Sequence, residues 1–230
     1  MKAGNSGSAE DHLRLGISFY GLDKYSEAEK ELREAIRIDP DCAEAHFNLG
    51  NLLDDQGRKE EAEKEWWEAI RINPDYAVFH NNLGFLLANQ DRYPEAEREY
   101  REAIRIDTDY VEAHNNLGVL LVSQSRYSEA EEEFREVIRI DTDYANAYYN
   151  LGILLKKQGR YPEAEEKFRE VIRIEPGDAK IYHILGLLLA DQGKYKEARP
   201  ELEKAVELLE AWGESDLAND IREKLMELPE

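Results

Sequence analysis

The 230-residue chain is expected to fold as an all-α solenoid of six tandem helix-turn-helix units followed by a C-terminal capping helix. Three observations predict this class. The sequence repeats itself at an offset of 34 residues, small residues recur at fixed places in every repeat, and one apolar helical stripe follows the last repeat. The offset shows in His-Asn-Asn-Leu-Gly, at residues 80–84 and again at 114–118. Self-similarity at a period of about 20–50 residues marks an array whose units bury their apolar faces against their neighbours.

Stepping by 34 gives an unbroken glycine column, Gly16, Gly50, Gly84, Gly118, Gly152 and Gly186, and an alanine column, Ala28, Ala62, Ala96, Ala130, Ala164 and Ala198. A leucine precedes each glycine, and Leu32, Trp66, Tyr100, Phe134, Phe168 or Leu202 follows each alanine by four. The units therefore run 9–42, 43–76, 77–110, 111–144, 145–178 and 179–212. Units three and four agree at 23 of 34 residues, which points to duplication of one structural unit. Within a unit, Ala43 to Gln56 forms one helical pattern, a turn follows around Gly57, and Glu60 to Ile72 forms a second. The glycine and alanine columns let the two helices approach closely while the large residues fill the space beside them. Asp41, Asp75, Asp109 and Asp143 are expected to N-cap the following helices, with Glu44 and Glu112 at capping-box spacing. Pro94 and Pro162 sit near helix starts, where a missing N–H is tolerated.

This Leu-Gly, Ala, aromatic, Ala/Val and Pro pattern at a 34-residue period resembles the tetratricopeptide repeat family over residues 9–212. The resemblance implies a right-handed superhelix whose concave groove is lined by the first helix of each unit. Departures are His12, His46, His80 and His114, where the family often has Trp or another large residue, and Thr108 and Thr142 in place of the boundary proline.

Residues 1–8, small and polar, are expected to be a disordered lead. Residues 213–230 are read as the cap, with Leu217, Ile221, Leu225 and Leu228 on one stripe. Pro200 is expected to distort the second helix of unit six without breaking it. The first helix has no comparable cap, so Leu13, Ile17 and Tyr20 offer a surface for homo-oligomer formation.

The groove-facing position before each leucine reads Arg14, Asn48, Asn82, Asn116, Asn150 and Ile184. Four consecutive asparagines resemble the ladders with which some tetratricopeptide proteins hold peptide backbones, since each amide offers donors and an acceptor. Hydrogen bonding between neighbouring helices is the alternative role for them. Asn51, Asn81 and Asn115 extend the amide set, and Phe47, Phe85, Val119, Tyr149 and Ile153 add an apolar patch on the same arc. Charge varies along this face: Glu44, Asp54 and Asp55 are acidic in unit two, Glu112 stands alone in unit four, and Lys156 and Lys157 are basic in unit five. A basic segment of a ligand is expected at unit two and an acidic one at unit five. The carboxylate clamp known in the family needs Lys, Arg and Asn where unit two has Glu44, Phe47, Asn51, Asp54 and Asp55, so a chaperone tail is not expected.

The formal charge of -21 argues against nucleic acid or anionic lipid as a partner. No apolar run reaches the roughly 18–20 residues that span a bilayer, and the lone Cys42 suits a reducing compartment such as the cytoplasm. Acidic runs such as Glu60-Glu61 and Glu131-Glu132-Glu133 read as solvated helix faces. The histidines repeat once per unit on the packed arc, about 10 Å or more apart, too far to share a metal. No nucleotide-binding or catalytic motif is present, so no enzyme activity, metal or cofactor is expected. The expected function is binding of an extended peptide or partner segment, as an adaptor. A self-assembling scaffold, or a designed consensus-derived repeat protein without a natural partner, is the alternative.

Overall fold

The computed structural model describes residues 7–229, and among them thirteen α-helices and no strand. They are α1 (Ala9–Tyr20), α2 (Tyr25–Ile38), α3 (Ala43–Asp55), α4 (Lys59–Ile72), α5 (Ala77–Asn89), α6 (Tyr93–Ile106), α7 (Val111–Ser123), α8 (Tyr127–Ile140), α9 (Ala145–Lys157), α10 (Tyr161–Ile174), α11 (Ala179–Asp191), α12 (Tyr195–Ala211) and α13 (Ser215–Glu227). Residues 1–6 of the expected lead lie outside the described residues. Ser8 caps α1: its hydroxyl accepts the Asp11 N–H, and the Asp11 carboxylate accepts the Ser8 N–H.

The chain divides into two compact units, Met1–Asn116 and Leu117–Glu230, with the boundary inside α7. In the first, α1 packs on α2, α3 on α4 and α5 on α6, while α2 and α4 pack on the first helix of the next pair. In the second, α9 packs on α10, α11 on α12 and α12 on α13, with α8 on α9 and α10 on α11. The glycine column does what its spacing predicts. A Cβ on Gly50 would stand 2.5 Å from Trp66 Nε1, on Gly84 2.8 Å from the Tyr100 ring, and on Gly118 and Gly152 2.6 and 2.5 Å from the rings of Phe134 and Phe168. Only a residue without a side chain admits those rings, which are at most 2% exposed. Pro94 and Pro162 fall in the first turns of α6 and α10, and α12 runs through Pro200 unbroken.

Three expectations are corrected. Asp41, Asp75 and Asp143 do not cap: the N-cap positions of α3, α5 and α9 are Cys42, Tyr76 and Tyr144, with no side-chain cap. Instead the backbone N–H groups of Asp41, Asp109 and Asp143 donate to Asp39, Asp107 and Asp141 at 3.2, 3.1 and 3.0 Å. These Asx turns engage the carboxylates of Asp39, Asp107 and Asp141, not those expected to cap. The carboxylate of Asp41 accepts from Arg71 of α4 at 3.4 Å and that of Asp143 from Arg173 of α10 at 3.0 Å.

Glu131 is not solvated. It is buried, accepts from Arg135 one turn on, and meets Arg160 at 2.7 Å. The bond to Arg160 belongs to a series in which the second helix of one pair reaches the start of the next pair's second helix: Glu29 to Arg58 and Glu63 to Arg92 at 2.8 Å, and Glu165 to Lys194 at 2.7 Å. In α13, finally, Leu217 is 44% exposed while Ala218, Ile221 and Leu225 are buried against Leu202, Ala205, Val206 and Leu209. The helix is rotated so that the small residue meets α12.

Candidate functional site

In the first compact unit, α1, α3, α4, α5 and the first turns of α7 surround a cavity of about 400 Å³. Asn51, Asn81, Asn82 and Asn116 supply amides to its wall, Tyr20, Trp66 and Phe85 aromatic surface, and Asp54, Asp55 and Glu112 carboxylates. No lysine or arginine lines it. Phe85 is half exposed. The first helices face the cavity because their other side is buried through Leu49, Leu53, Leu83 and Leu87.

The amides bond to one another. Asn82 Nδ2 donates to Asn51 Oδ1 at 3.2 Å, and the Trp66 indole N–H donates to the same oxygen at 3.1 Å. Asn116 Nδ2 donates to Asn81 Oδ1 at 3.0 Å. The amides therefore link successive helix pairs while keeping further donor and acceptor positions for a ligand. Burial pushes the Asp54 carboxyl above the usual carboxylate range, against Lys59 and with Asp55 adding to it. The Tyr20 hydroxyl donates to Asp55, and burial followed by that contact raises its pKa well above the phenol value.

Other residues expected at the site lie elsewhere. Asn48 does not line the cavity and donates to the Glu44 carbonyl of its own helix at 2.7 Å, with the Glu44 side chain exposed. The Phe47 ring is 4.7 Å from buried Phe79, which in turn meets Tyr76 at 4.6 Å. Asn115 is half-buried, as is Asn150, which belongs to the second unit. There Lys180 covers the Tyr149 ring at 4.9 Å, Lys157 lies 5.0 Å from the Tyr127 ring, and Lys156 is half-buried. Burial, Lys224 and Lys156 in that order hold His183 below the ordinary histidine value, and its buried Nε2 has no hydrogen-bond partner. Tyr20 and Trp66 were not anticipated as lining residues. Tyr20 sits one repeat before Asp54, which was the available signal, whereas Trp66 reads only as core from its column.

The histidines are packed, not gathered. His46 Nδ1 lies 2.6 Å from Glu65 and Nε2 3.2 Å from the Pro40 carbonyl, and His80 repeats this with Glu99 at 2.8 Å and Pro74 at 3.0 Å. Among the described residues no group of three His, Cys, Asp or Glu could hold a metal ion. Burial raises the Cys42 thiol pKa. No helix among the described residues is long and apolar enough to cross a membrane.

Paired helices with small residues at their contact, repeated at 34 residues and presenting one face of each first helix, define a helical-repeat protein of the interaction-module class. Models of the tetratricopeptide repeat match residues 13–77 and 149–213, and 75–143 and 112–175. The chain belongs to the tetratricopeptide repeat family. Among solved structures it is similar to PilF of Pseudomonas aeruginosa, with TM-score 0.78 and 23% identity over 94% of this chain and 97% of that one. It is also similar to PilW, a type IV pilus biogenesis factor, with TM-score 0.73 and 20% identity over 85% and 92%. A third is YrrB, a TPR protein with an unusual peptide-binding site, with TM-score 0.65 and 21% identity over 84% and 97%. At these identities the likeness is one of fold. No curated protein sequence matches the chain.

Proposed function

We propose that this interaction module holds an extended segment of a partner protein, with the cavity of the first compact unit as the main seat. The observation that carries this reading is the wall of interlinked asparagine amides beside exposed Phe85 and three carboxylates with no cation among them. A peptide backbone entering there can exchange amide–amide bonds for amide–backbone bonds, so polar groups stay satisfied before and after binding. Asp54, Asp55 and Glu112 favour a basic side chain on that segment. In the second unit, Lys156 and Lys157 suit an acidic one. YrrB, alike in fold, is described as having a peptide-binding site, which supports a peptide ligand for this fold without identifying one.

The test is a titration of extended peptides against the full chain. A Lys- and Arg-containing peptide is expected to bind better than its Glu-containing counterpart, and better at low salt. Asp54→Asn with Asp55→Asn should weaken it about fivefold, the scale of partly exposed charge pairs. Asn82→Ala with Asn116→Ala should weaken both peptides. Equal, salt-independent affinity of the two peptides for the unaltered chain would overturn the acidic seat.

Self-association is the second reading, favoured by Leu15, Ile17 and Leu22, which are 47%, 43% and 62% exposed near α1. Sedimentation across protein concentrations separates the two, since a peptide-binding monomer keeps one mass.

A further inference from the structure

Both ring nitrogens of His46 face acceptors, the Glu65 carboxylate and the Pro40 carbonyl, and both of His80 face Glu99 and the Pro74 carbonyl. A carbonyl and an ionised carboxylate accept only. A neutral imidazole carries one N–H, so it would set a lone pair against one of these oxygens; only the imidazolium satisfies both. The residues are 8% and 5% exposed, which leaves little water to repair a mismatch. His12 Nδ1 likewise lies 2.5 Å from Glu31, and His114 Nε2 faces the Thr108 carbonyl at 3.1 Å.

In pairs five and six the same column holds Tyr148 and Tyr182. Each hydroxyl donates at 3.2 Å to the carbonyl six residues earlier, of Thr142 and Pro176. The acidic position is lost in pair five and kept in pair six, where Glu201 stands 19 residues after Tyr182 and meets Arg169 at 3.4 Å. Glu31, Glu65, Glu99 and Glu133 stand 19 residues after the four histidines, but Lys167 stands 19 after Tyr148 and pairs with Glu166. A phenol makes the carbonyl bond without a carboxylate and without titrating near neutrality.

We propose that His46 and His80 are charged clasps, each tying the second helix of its pair to the turn entering the first, and that they make the stability of the first compact unit pH-sensitive through a column where the second unit has tyrosines. The charged groups facing them are Glu65 and Glu68 of α4 for His46, and Glu99 and Glu102 of α6 for His80, with Arg98 3.0 Å from Glu99. The bond to Glu65 lifts His46 above the ordinary histidine value against the effect of burial. For His80 burial is the largest influence and acts downward, but Glu99, the Pro74 carbonyl and Glu102 together outweigh it. A histidine whose folded pKa exceeds its unfolded value of about 6.5 stabilises fully below that pH and loses the contribution as pH rises through the folded value.

The experiment uses the full chain: ring-nitrogen NMR of the histidines, and thermal melts from pH 6 to 8.5. Both rings should show the imidazolium pattern at neutral pH and titrate above 6.5, and Tm should fall across the range by roughly 2–4 °C for each clasp lost. His46→Tyr with His80→Tyr, copying pairs five and six, should flatten that slope while still melting cooperatively. A neutral-tautomer pattern at pH 6.5, titration at or below that pH, or a slope unchanged in the double variant would overturn the proposal. If the variant does not fold, the ring titration of the unaltered chain decides alone.

Discussion

At the scale of single residues, the close packing between helices rests on absent atoms. Gly84→Ala gains about 1 kcal/mol of helix propensity but places a Cβ 2.8 Å from two atoms of the Tyr100 ring, itself 2% exposed. Overpacking in a filled core costs about 1–3 kcal/mol, so a net loss of up to about 2 kcal/mol is expected in urea melts; a gain in stability would mean the ring can move aside. The opposite sign is expected at Ser125, which sits in the turn after α7 at φ 61°. Gly57, Gly159 and Gly193 hold the same place at φ 74–75°. Ser125→Gly should stabilise by about 0.5–1 kcal/mol, because relief of the left-handed strain exceeds glycine's entropy cost, and a lower urea midpoint would refute it. The glycine columns were legible because their cause recurs at every repeat. The role of the aspartates was not, since Asp41, Asp75 and Asp143 fall one residue before the N-cap positions Cys42, Tyr76 and Tyr144, a boundary that residue type alone does not fix.

Among the elements, each helix pair is held by its own core, and successive pairs are also joined by charge. Arg92 meets Glu63 in the preceding pair at 2.8 Å while also holding Glu95 in its own helix. Arg92→Ala should therefore cost more than truncating an exposed arginine paired only within its helix, such as Arg37 with Glu34, because it leaves the half-buried Glu63 without that cation. A double-mutant cycle with Glu63→Gln measures the coupling, and a value near zero would place this contact with ordinary surface pairs. Removing residues 215–230 would uncover Leu202, Val206 and Leu209, and light scattering should show aggregation of the truncated chain. A monodisperse truncation would show that α12 needs no cover. The existence of α13 was readable from its apolar period, but its rotation was not: Leu217 and Ala218 differ by 100° around the helix, and only packing against α12 selects the smaller residue. Glu131 reads as solvent-facing because its partner Arg160 lies 29 residues ahead, beyond the reach of any helical pattern.

For the whole molecule, charge sets opposing trends. The carboxyls of Glu29 and Glu165 lie below the usual range: burial, the largest influence, raises them, but bonds to Arg58 and Arg33, and to Lys194 and Arg169, lower them further. A depressed folded pKa stabilises above the unfolded value of about 4.3 and loses that contribution as pH falls through the folded one. Acid also relieves the self-repulsion of a chain of formal charge -21, so Tm should rise slightly toward pH 5 and then drop; a continued rise to pH 3 would show that repulsion dominates. The repeat fold was readable throughout because one solution is written six times. The candidate site was only partly readable, since Asn82 and Asn116 find partners in Asn51 and Asn81, across helices that the period relates but does not orient. The niche over each column glycine already accepts an indole at Trp66, a phenol at Tyr100 and phenyl rings at Phe134 and Phe168, so it is a natural socket for a fluorophore. With Trp67 and Trp212 replaced, Trp66 becomes the sole indole emitter; moving it to residue 100, 134 or 168 would yield a set of chains in which the colour of the emitted light reports when each helix pair lets in water.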